Sequence, residues 1–537
     1  MHAFNATLRR RLAVLAGSLA LGLIALLSPL EASAAQASLG ASPATMDCKA
    51  LEKLDLTTLD GAPSVISLAE VVPASDKLPE YCKVVGYIQP QIQFEMRLPT
   101  ASWNGRYLQA GCGGYCGLVN SESCNDGLGR DFMVSANNMG HVGTVAGTPL
   151  WATEPGLRLD YAYRSTHVMS VLAKALAERY YGKRPHHSYL RGCSTGGREA
   201  MSAAQRYPAD FDGIIGGDAA FPVRQGAIAN AWDMRQLLRD DGSAVFTPAK
   251  LKVLNDAVLA RCDKLDGVVD GILMEPRDCD FDVRSVQCPK GKDGANCLTG
   301  EQVGVALKLY DGPRNAKGER LIPGHRAFGS ELAWDDPGGL RLGFSKGYGY
   351  LGFPDDPASY DYRHFDYDKD MAKLEEMARF YDPVEPHHAP DLATFRARGG
   401  KLMLYHGWAD PTVPPFGTLD YYAKLTSASG GLDKTRQWAR VFMVPGMFHC
   451  RGGNAPNTFD MLDAIVDWVE KGQAPERIVA TQMAGDKVLR TRPLVAYPAV
   501  AHYTGKGDVN DAANWVAVQP KTLRDDNIDW VWGPKKK

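Results

Sequence analysis

A serine held between two glycines is the feature that most constrains what this chain folds into. The segment Gly192–Gly196 has the pattern Gly-x-Ser-x-Gly, with Ser194 at its centre. Residues 187–191 before it predict a short strand, and the residues from Gly197 onward are good helix formers. Glycines allow the backbone to turn sharply from strand to helix, which lifts the serine hydroxyl into reach of a substrate and a base. Because such turns are common in α/β proteins, the rest of the chain decides what this one means.

The sequence around this turn alternates strand and helix patterns. Strands are predicted at 92–98, 106–110, 212–216, 401–405 and 440–444, and amphipathic helices at 168–176 and 461–469. This alternation predicts a parallel sheet covered by helices on both faces. Residues 222–387 interrupt it with four cysteines and many aromatic, glycine and proline residues, which predicts one inserted domain. The core is then formed by residues 36–221 and 388–537.

The first residues of the chain have the pattern of an export signal. Arg9–Arg11 precede an apolar run at 12–27, and Ala32-Ser33-Ala34 is typical of a cleavage site. The alternative is an uncleaved membrane anchor, but the apolar run is short. No later stretch approaches the ~18 to 20 apolar residues that a membrane helix needs. The sequence therefore predicts a signal peptide over residues 1–35 and a secreted or periplasmic protein without membrane contact after cleavage.

Charge and cysteine content narrow the function further. The net charge is −2 over 537 residues, which offers no support for a nucleic-acid or anionic-membrane partner. In an exported chain the eleven cysteines are disulfide candidates before they are metal ligands. An odd number leaves at least one cysteine unpaired in a monomer.

Two further strand ends carry the residues that a nucleophilic serine needs. Asp410 follows the predicted strand at 401–405, and His449 follows the strand at 440–444. A serine hydroxyl is a poor nucleophile until an imidazole takes its proton, and a carboxylate holds that imidazole in the correct tautomer. The chain order Ser194, Asp410, His449 therefore predicts a catalytic triad. His406 and His141 are alternative bases, but their loop positions favour a structural role for both.

A glycine cluster and two cysteines extend this predicted site. The segment Gly111–Gly117 follows a predicted strand, so its amide N–H groups are interpreted as an oxyanion hole rather than a flexible loop. Cys193 adjoins Ser194, and Cys450 adjoins His449. If the serine and the histidine lie within hydrogen-bond reach, their neighbours fall near the ~4.4 to 6.8 Å Cα separation of a disulfide. We favour such a clamp over two buried thiols or other pairings.

With these motifs the chain resembles the tannase and feruloyl esterase family of α/β-hydrolases, which includes the terephthalate half-ester hydrolases. The motifs are Gly192–Glu199, Gly407–Asp410 and Pro445–Cys450. The resemblance implies an α/β-hydrolase fold with a large inserted lid domain that supplies most of the acyl pocket. It implies the triad Ser194, Asp410 and His449, and a Cys193–Cys450 disulfide. It also implies an oxyanion hole from the N–H groups of Thr195 and of the loop near Gly113.

The insert contains an oxygen-rich loop. Asp263, Asp266 and Asp270 lack the spacing of an EF-hand, and alone they would favour a polar turn. The resemblance implies a structural Ca²⁺ held by these side chains and by the carbonyls of Val268 and Ile272. It further implies three disulfides, namely Cys262–Cys279, Cys288–Cys297 and Cys48–Cys82.

Some positions depart from the family pattern or stay open. The tail lacks the cysteine pair that relatives carry, so we expect packing alone to hold it. Cys112, Cys116 and Cys124 are expected to form one bond and leave one free thiol. Trp334 resembles the lid tryptophan that lines the aromatic-acid pocket of relatives, and it is equally well interpreted as an ordinary aromatic residue of the insert core.

These observations predict a secreted serine esterase acting on esters of hydroxylated aromatic acids, feruloyl esters first. Plant cell-wall phenolic esters would be one source of substrate. A tannase or a mono(2-hydroxyethyl) terephthalate hydrolase is the alternative within the same class. A peptidase and a non-catalytic binding protein on the same fold are more distant hypotheses, since nothing in the insert indicates peptide binding and all three triad residues are present.

Overall fold

The computed structural model describes residues 40–335, 339–382 and 389–521. The predicted signal peptide lies outside the described residues. The strands are β1 (Ser64–Val72), β2 (Tyr81–Ile88), β3 (Ile92–Pro99), β4 (Arg106–Ala110), β5 (Met133–Asn137), β6 (His187–Cys193), β7 (Gly213–Gly217), β8 (Lys401–Gly407), β9 (Ala439–Val444), β10 (Arg477–Ala484), β11 (Lys487–Val495), β12 (Val500–Tyr503) and β13 (Trp515–Val518). The α-helices are α1 (Asn125–Leu128), α2 (Pro155–Leu159), α3 (Ser165–Tyr181), α4 (Thr195–Arg206), α5 (Val223–Leu237), α6 (Pro248–Cys262), α7 (Gly300–Asp311), α8 (Leu340–Gly352), α9 (Met371–Tyr381), α10 (Ala393–Ala397), α11 (Phe416–Ala428), α12 (Leu432–Thr435) and α13 (Leu462–Lys471).

The main sheet has nine strands in the order β1-β2-β3-β5-β4-β6-β7-β8-β9. From β5 to β9 the neighbouring strands are parallel, as the alternating pattern predicts. The strands β1 to β3 form an antiparallel meander at one edge, and β3 pairs with β5 in antiparallel register. The carboxyl ends of β6, β7, β8 and β9 therefore lie side by side. The candidate catalytic residues follow three of these ends.

Helices cover both faces of the sheet. On one face, apolar residues of α3, α4 and α11 pack on the sheet in one hydrophobic cluster, for example Leu172, Ala200 and Leu419. On the other face, Ile465 and Trp468 of α13 belong to a second cluster. The helix predicted from the stripe at 168–176 is α3, which ends at Gly182 in the left-handed conformation (φ 74°) that glycine adopts without strain.

Residues 222–387, called here the insert, lie between β7 and β8. Its described residues contain the helices α5 to α9, and they form a hydrophobic cluster of their own that includes Leu254, Tyr310 and Trp334. The disulfides Cys262–Cys279 and Cys288–Cys297 lie in it. The described residues from Ala41 onward form one compact unit, so the insert packs on the core.

The C-terminal part forms two small sheets, β10–β11 and β12–β13. Trp515 is buried there in a cluster with Ile272 and Met274 of the insert, and the guanidinium of Arg492 lies 4.4 Å from its ring centroid. Arg492 also forms an ion pair with Asp270. Packing and this ion pair hold the tail, so packing is not the sole contact, contrary to the expectation from the sequence. Among the described helices, none is long and apolar enough to span a membrane.

Candidate active site

Ser194 occupies a strained turn between β6 and α4. Its backbone has φ 62° and ψ −120°, a conformation that is rare for a residue with a side chain. The flanking glycines are required because the turn is so tight. A Cβ added to Gly192 would lie 2.4 Å from the carbonyl oxygen of Gly196. The local sequence thus places the serine hydroxyl above the end of the sheet.

Asp410 and His449 form a close pair in neighbouring loops. Nδ1 of His449 lies 2.6 Å from Oδ2 of Asp410. The other carboxylate oxygen, Oδ1, accepts hydrogen bonds from the backbone N–H groups of Thr412 (2.7 Å) and Val413 (2.9 Å). These bonds hold the carboxylate in one orientation, so the imidazole is held through Nδ1 and keeps Nε2 for the serine.

A disulfide joins the serine loop to the histidine loop. Cys193 and Cys450 are bonded, with their Cα atoms 6.0 Å apart. Since each cysteine is the direct neighbour of a catalytic candidate, the bond ties Ser194 to His449 across 257 residues of chain. The side chain of His449 remains 21% exposed, so a substrate reaches it.

The electrostatics of the pair suit a general base. Burial alone would raise the pKa of Asp410, but the imidazoles of His449 and His406 outweigh it and hold that pKa below its ordinary value. Burial alone would lower the pKa of His449, but the Asp410 carboxylate outweighs it and raises that pKa. Asp410 therefore stays ionised and stabilises a protonated His449, as proton transfer from a serine requires.

The predicted oxyanion loop lies against the start of α4. The carbonyl oxygen of Gly114 accepts a hydrogen bond from the Thr195 hydroxyl at 2.6 Å. The N–H of Cys112 donates to Glu199 at 2.9 Å. Thr195 is the first residue of α4, where N–H groups have no partner inside the helix and point outward. A Cβ on Gly113 would meet nothing within 4 Å, so space lies beside that residue.

Cys112, Cys116 and Cys124 form one disulfide and leave one free thiol, as expected. Cys112 is bonded to Cys116, which closes a small ring around Gly113 and Gly114. Cys124 is a buried free thiol, and burial raises its pKa to about 11. Cys48 is bonded to Cys82.

A small cavity of about 30 Å³ lies beside Ser194, between the core and the insert. Its lining includes Tyr115, Tyr161 and Arg198 of the core and Asn230, Phe344 and Tyr348 of the insert. Trp334 is elsewhere. It is buried in the insert core, where its ring contacts Tyr310 and Phe246, so the structure does not bring it to this cavity.

The aspartate loop of the insert has a donor set that suits calcium. Oδ2 of Asp266 is buried without a hydrogen-bond partner among the described residues. Burial raises the pKa of Asp266 to about 7, and the charges of Asp270 and Asp263 add to the effect. Asp263 accepts the N–H of Gly271, and Asp270 is already paired with Arg492. An orphaned carboxylate oxygen beside two further carboxylates has the chemistry that a divalent cation prefers. The described residues do not bring oxygens of all three aspartates within 4.8 Å of one another.

The two alternative bases, His406 and His141, form hydrogen bonds that order neighbouring loops. Nδ1 of His406 lies 2.7 Å from the Thr418 hydroxyl, and Nε2 lies 3.1 Å from the Val413 carbonyl, so His406 orders the Asp410 loop as expected. His141 is buried with Nε2 at 2.7 Å from the carbonyl of Tyr115, which supports the oxyanion loop.

Sequence reasoning missed two charged residues beside the triad. Asp218 follows β7, and Arg326 of the insert donates to the Asp410 carbonyl at 2.7 Å. Asp218 could have been predicted from the sequence, because it follows a predicted parallel strand and polar residues at such strand ends lie at the functional site. Arg326 had none, because its contact spans 84 residues of sequence.

Comparison with known proteins identifies the fold and the family. The tannase and feruloyl esterase family model matches residues 76–341 and 344–518. An uncharacterised esterase of Xanthomonas campestris pv. campestris is 34% identical over 93% of this chain and 95% of its own. The mono(2-hydroxyethyl) terephthalate hydrolase of Piscinibacter sakaiensis is 33% identical over 86% and 87% of the two chains.

The solved structures lead to the same result. Feruloyl esterase B from Aspergillus oryzae aligns with a TM-score of 0.77 and 25% identity, over 88% of this chain and 99% of that one. The fold is therefore of the α/β-hydrolase type. The chain belongs to the tannase and feruloyl esterase family and is a carboxylic ester hydrolase of that type.

Proposed function

We propose that this protein is an exported serine esterase that hydrolyses esters of hydroxylated aromatic acids, feruloyl esters first. The observation that carries the proposal is the Asp410–His449 pair, tied by the Cys193–Cys450 disulfide to the turn that holds Ser194. Five disulfides and the export pattern of the leader support an oxidising destination outside the cytoplasm.

The proposed mechanism uses the candidate residues at the ends of β6, β8 and β9. Ser194 Oγ attacks the ester carbonyl while Nε2 of His449 takes its proton, and Asp410 stabilises the imidazolium. The N–H groups of Thr195 and of the loop near Gly113 stabilise the negative oxygen of the tetrahedral intermediate. The C–O bond to the alcohol then breaks as His449 returns the proton to the leaving oxygen. Water repeats the sequence on the acyl-enzyme and releases the acid.

The surroundings of Ser194 support an aromatic acyl group. Tyr115, Tyr161, Phe344 and Tyr348 offer aromatic faces for stacking. The hydroxyls of Tyr115 and Tyr161 already donate to the carbonyls of Phe344 and Gly114. The free volume beside Ser194 is about 30 Å³, so the proposal requires the aromatic side chains of α8 to shift when an aromatic acid binds. The insert acts as a lid in this proposal.

A substrate panel tests the acyl preference. Purified protein is assayed on methyl ferulate, methyl gallate and mono(2-hydroxyethyl) terephthalate, with Ser194→Ala as the control. We expect the highest kcat/KM on methyl ferulate. The similarity to the Piscinibacter sakaiensis enzyme supports the half-ester as the second candidate. Inactivity on all three esters contradicts an aromatic-acid specificity.

Labelling separates an enzyme from a binding protein. A serine-directed phosphonate forms a covalent adduct with an activated serine, and we expect one adduct per chain at Ser194. The adduct is expected to disappear in Ser194→Ala. A wild-type protein that does not react would favour a non-catalytic role, and release of peptides from a protein substrate would favour a peptidase.

We also propose that the loop of Asp263, Asp266 and Asp270, with the carbonyls of Val268 and Ile272, holds a structural Ca²⁺. The orphaned oxygen of Asp266 supports this assignment. The ion would neutralise the carboxylates of Asp263 and Asp266, whereas Asp270 is also paired with Arg492. Arg490 donates to the Asp270 carbonyl at 2.9 Å, so this loop contacts the C-terminal strands. It has no role in the ester chemistry.

A further inference from the structure

Asp218 is a buried carboxylate beside the triad that the proposed mechanism does not use. It is 0% exposed and lies directly after β7, one strand from the serine turn. Its backbone has a positive φ of 38°, a conformation that a non-glycine residue adopts only where the surroundings impose it. Its own N–H donates to the carbonyl of Tyr405 on β8 at 2.9 Å.

The carboxylate of Asp218 makes two connections with the catalytic loops. Oδ1 accepts the N–H of Gly407 at 2.8 Å, at the point where β8 ends and the Asp410 loop begins. Oδ2 lies 3.5 Å from Sγ of Cys193, half of the clamp between the serine and histidine loops. One side chain thus contacts the loop of Ser194 and the start of the Asp410 loop.

Asp218 also places a second carboxylate close to the catalytic imidazole. A carboxylate oxygen of Asp218, a carboxylate oxygen of Asp410 and a ring nitrogen of His449 all lie within 4.8 Å of one another. Two buried carboxylates at this distance act on the same imidazole.

We propose that Asp218 is a positioning residue of this esterase, which anchors the start of the Asp410 loop and adds a second negative charge beside His449. The proposal rests on the Ser194 mechanism given above. It assigns the stabilisation of the imidazolium to two carboxylates, of which only Asp410 contacts the ring directly.

The charged and titratable groups around Asp218 set the sign of its effect. It faces His406 and the Tyr405 phenol on β8, and Asp410 and His449 in their loops. From the insert, Arg326 opposes it by lowering the pKa of His449. Burial raises the pKa of Asp218 to about 7, and the charge of Asp410 adds to the rise. Asp218 therefore ionises near neutral pH, and its ionised form in turn raises the pKa of His449.

The test is the pH profile of Asp218→Asn. The asparagine Oδ1 still accepts the Gly407 N–H, so the variant removes the charge and keeps the anchor. Without that charge His449 loses its proton at lower pH. We expect the acid limb of kcat/KM on methyl ferulate to move down by about one pH unit, and kcat on the plateau to fall roughly tenfold. Glu331→Gln, a change to a buried carboxyl in the insert core, serves as the control with an unmoved acid limb.

A second measurement does not depend on turnover. The imidazole of His449 is titrated by NMR in a Ser194→Ala background, with and without Asp218→Asn. We expect the amide variant to lower the midpoint by about one pH unit. A midpoint and an acid limb that both stay in place would overturn the proposal, even if kcat or Tm falls. Wild-type protein that hydrolyses no ester would contradict the proposed function instead, and the NMR titration would still decide the role of Asp218.

Discussion

The core and the insert reach the catalytic residues by different means. The core holds Asp410 through backbone N–H groups and joins the loops of Ser194 and His449 by a disulfide. The insert contributes one guanidinium, that of Arg326, and an aromatic wall that includes Phe344 and Tyr348. We therefore assign the chemistry to the core, and substrate fit and charge balance to the insert, which is built from helices and loops.

The two parts also act on His449 with opposite sign. Asp410 and Asp218, both from the core, raise its pKa, whereas Arg326 lowers it. Arg326 is held by Asp233 of α5, which also lies 2.6 Å from Nε2 of His325. Burial would raise the pKa of Asp233, but Arg326 and His325 outweigh it and hold the pKa at about 2. The insert thus presents a fixed positive charge to the triad.

The largest expected effect comes from Asp410→Asn in the core. The amide no longer holds the productive tautomer or stabilises the imidazolium, so we expect kcat to fall roughly 10⁴-fold with little change in KM. The control is Asp420→Asn, which removes a surface partner of Lys424 in the same half of the chain. Steady-state kinetics on methyl ferulate measure both. An Asp410→Asn enzyme that keeps a tenth of its activity would exclude the core assignment.

The second effect comes from opening the clamp with Cys193→Ser and Cys450→Ser together. Loss of a long-range disulfide costs about 2 to 4 kcal/mol of unfolding free energy, and we expect kcat to fall at least tenfold as the loops separate. Cys48→Ser with Cys82→Ser is the matched control, since that bond is remote from the triad. We expect this control variant to have a lower free energy of unfolding and an unchanged kcat. Equal losses of kcat in both double variants would show that the clamp has no special role.

The third effect tests the insert through Arg326→Met. Asp233 loses the cation that pairs with it directly and keeps His325 and the charge of Arg341, so we expect about 3 kcal/mol less unfolding free energy. We also expect the acid limb of kcat/KM to move to higher pH, because neutral His449 is the base and Arg326 no longer lowers its pKa.

Adding Asp233→Asn to Arg326→Met is expected to recover part of the lost stability while the acid limb stays displaced. Urea unfolding and pH profiles on the same preparations separate the two outcomes. A displacement toward lower pH would contradict the opposite signs assigned to the core and the insert.

The fourth effect concerns the Cys112–Cys116 ring of the oxyanion loop. In Cys112→Ser with Cys116→Ser, the N–H groups near Gly113 lose part of their fixed orientation. We expect kcat to fall about fivefold with KM unchanged. Affinity for a boronic acid that mimics the tetrahedral intermediate should fall in parallel, whereas affinity for ferulic acid should not. Equal weakening of both ligands would place the defect in the acyl pocket.

The smallest expected effect is that of metal removal from the insert. Chelation should lower Tm by a few degrees and leave the initial kcat unchanged, because a bound ion stabilises the folded state alone. Added Ca²⁺ should restore Tm in the wild type but not in Asp266→Asn. The same melting curve for wild-type protein before and after complete metal depletion would exclude the calcium proposal.

Local patterns and strand ends could be predicted well, and contacts between distant segments could not. The predicted strand at 187–191 is β6, which continues to Cys193 because Gly192 and Cys193 pair with Gly216 and Gly217 of β7. The antiparallel meander β1 to β3 was missing from the prediction, apart from the strand at 92–98. Its alternation is visible locally, but its partners depend on the register with other strands.

The amino-acid sequence by itself determined the serine turn, the chain order of the triad candidates and the adjacency of Cys193 and Cys450 to two of them. These features are local, so neighbouring residues and the ends of parallel strands suffice to define them. Only the tertiary structure decided that Cys112 pairs with Cys116, that Trp334 lies in the insert core, and that Asp218 and Arg326 flank the triad. Burial and contact across remote segments arise from the packing of the whole chain.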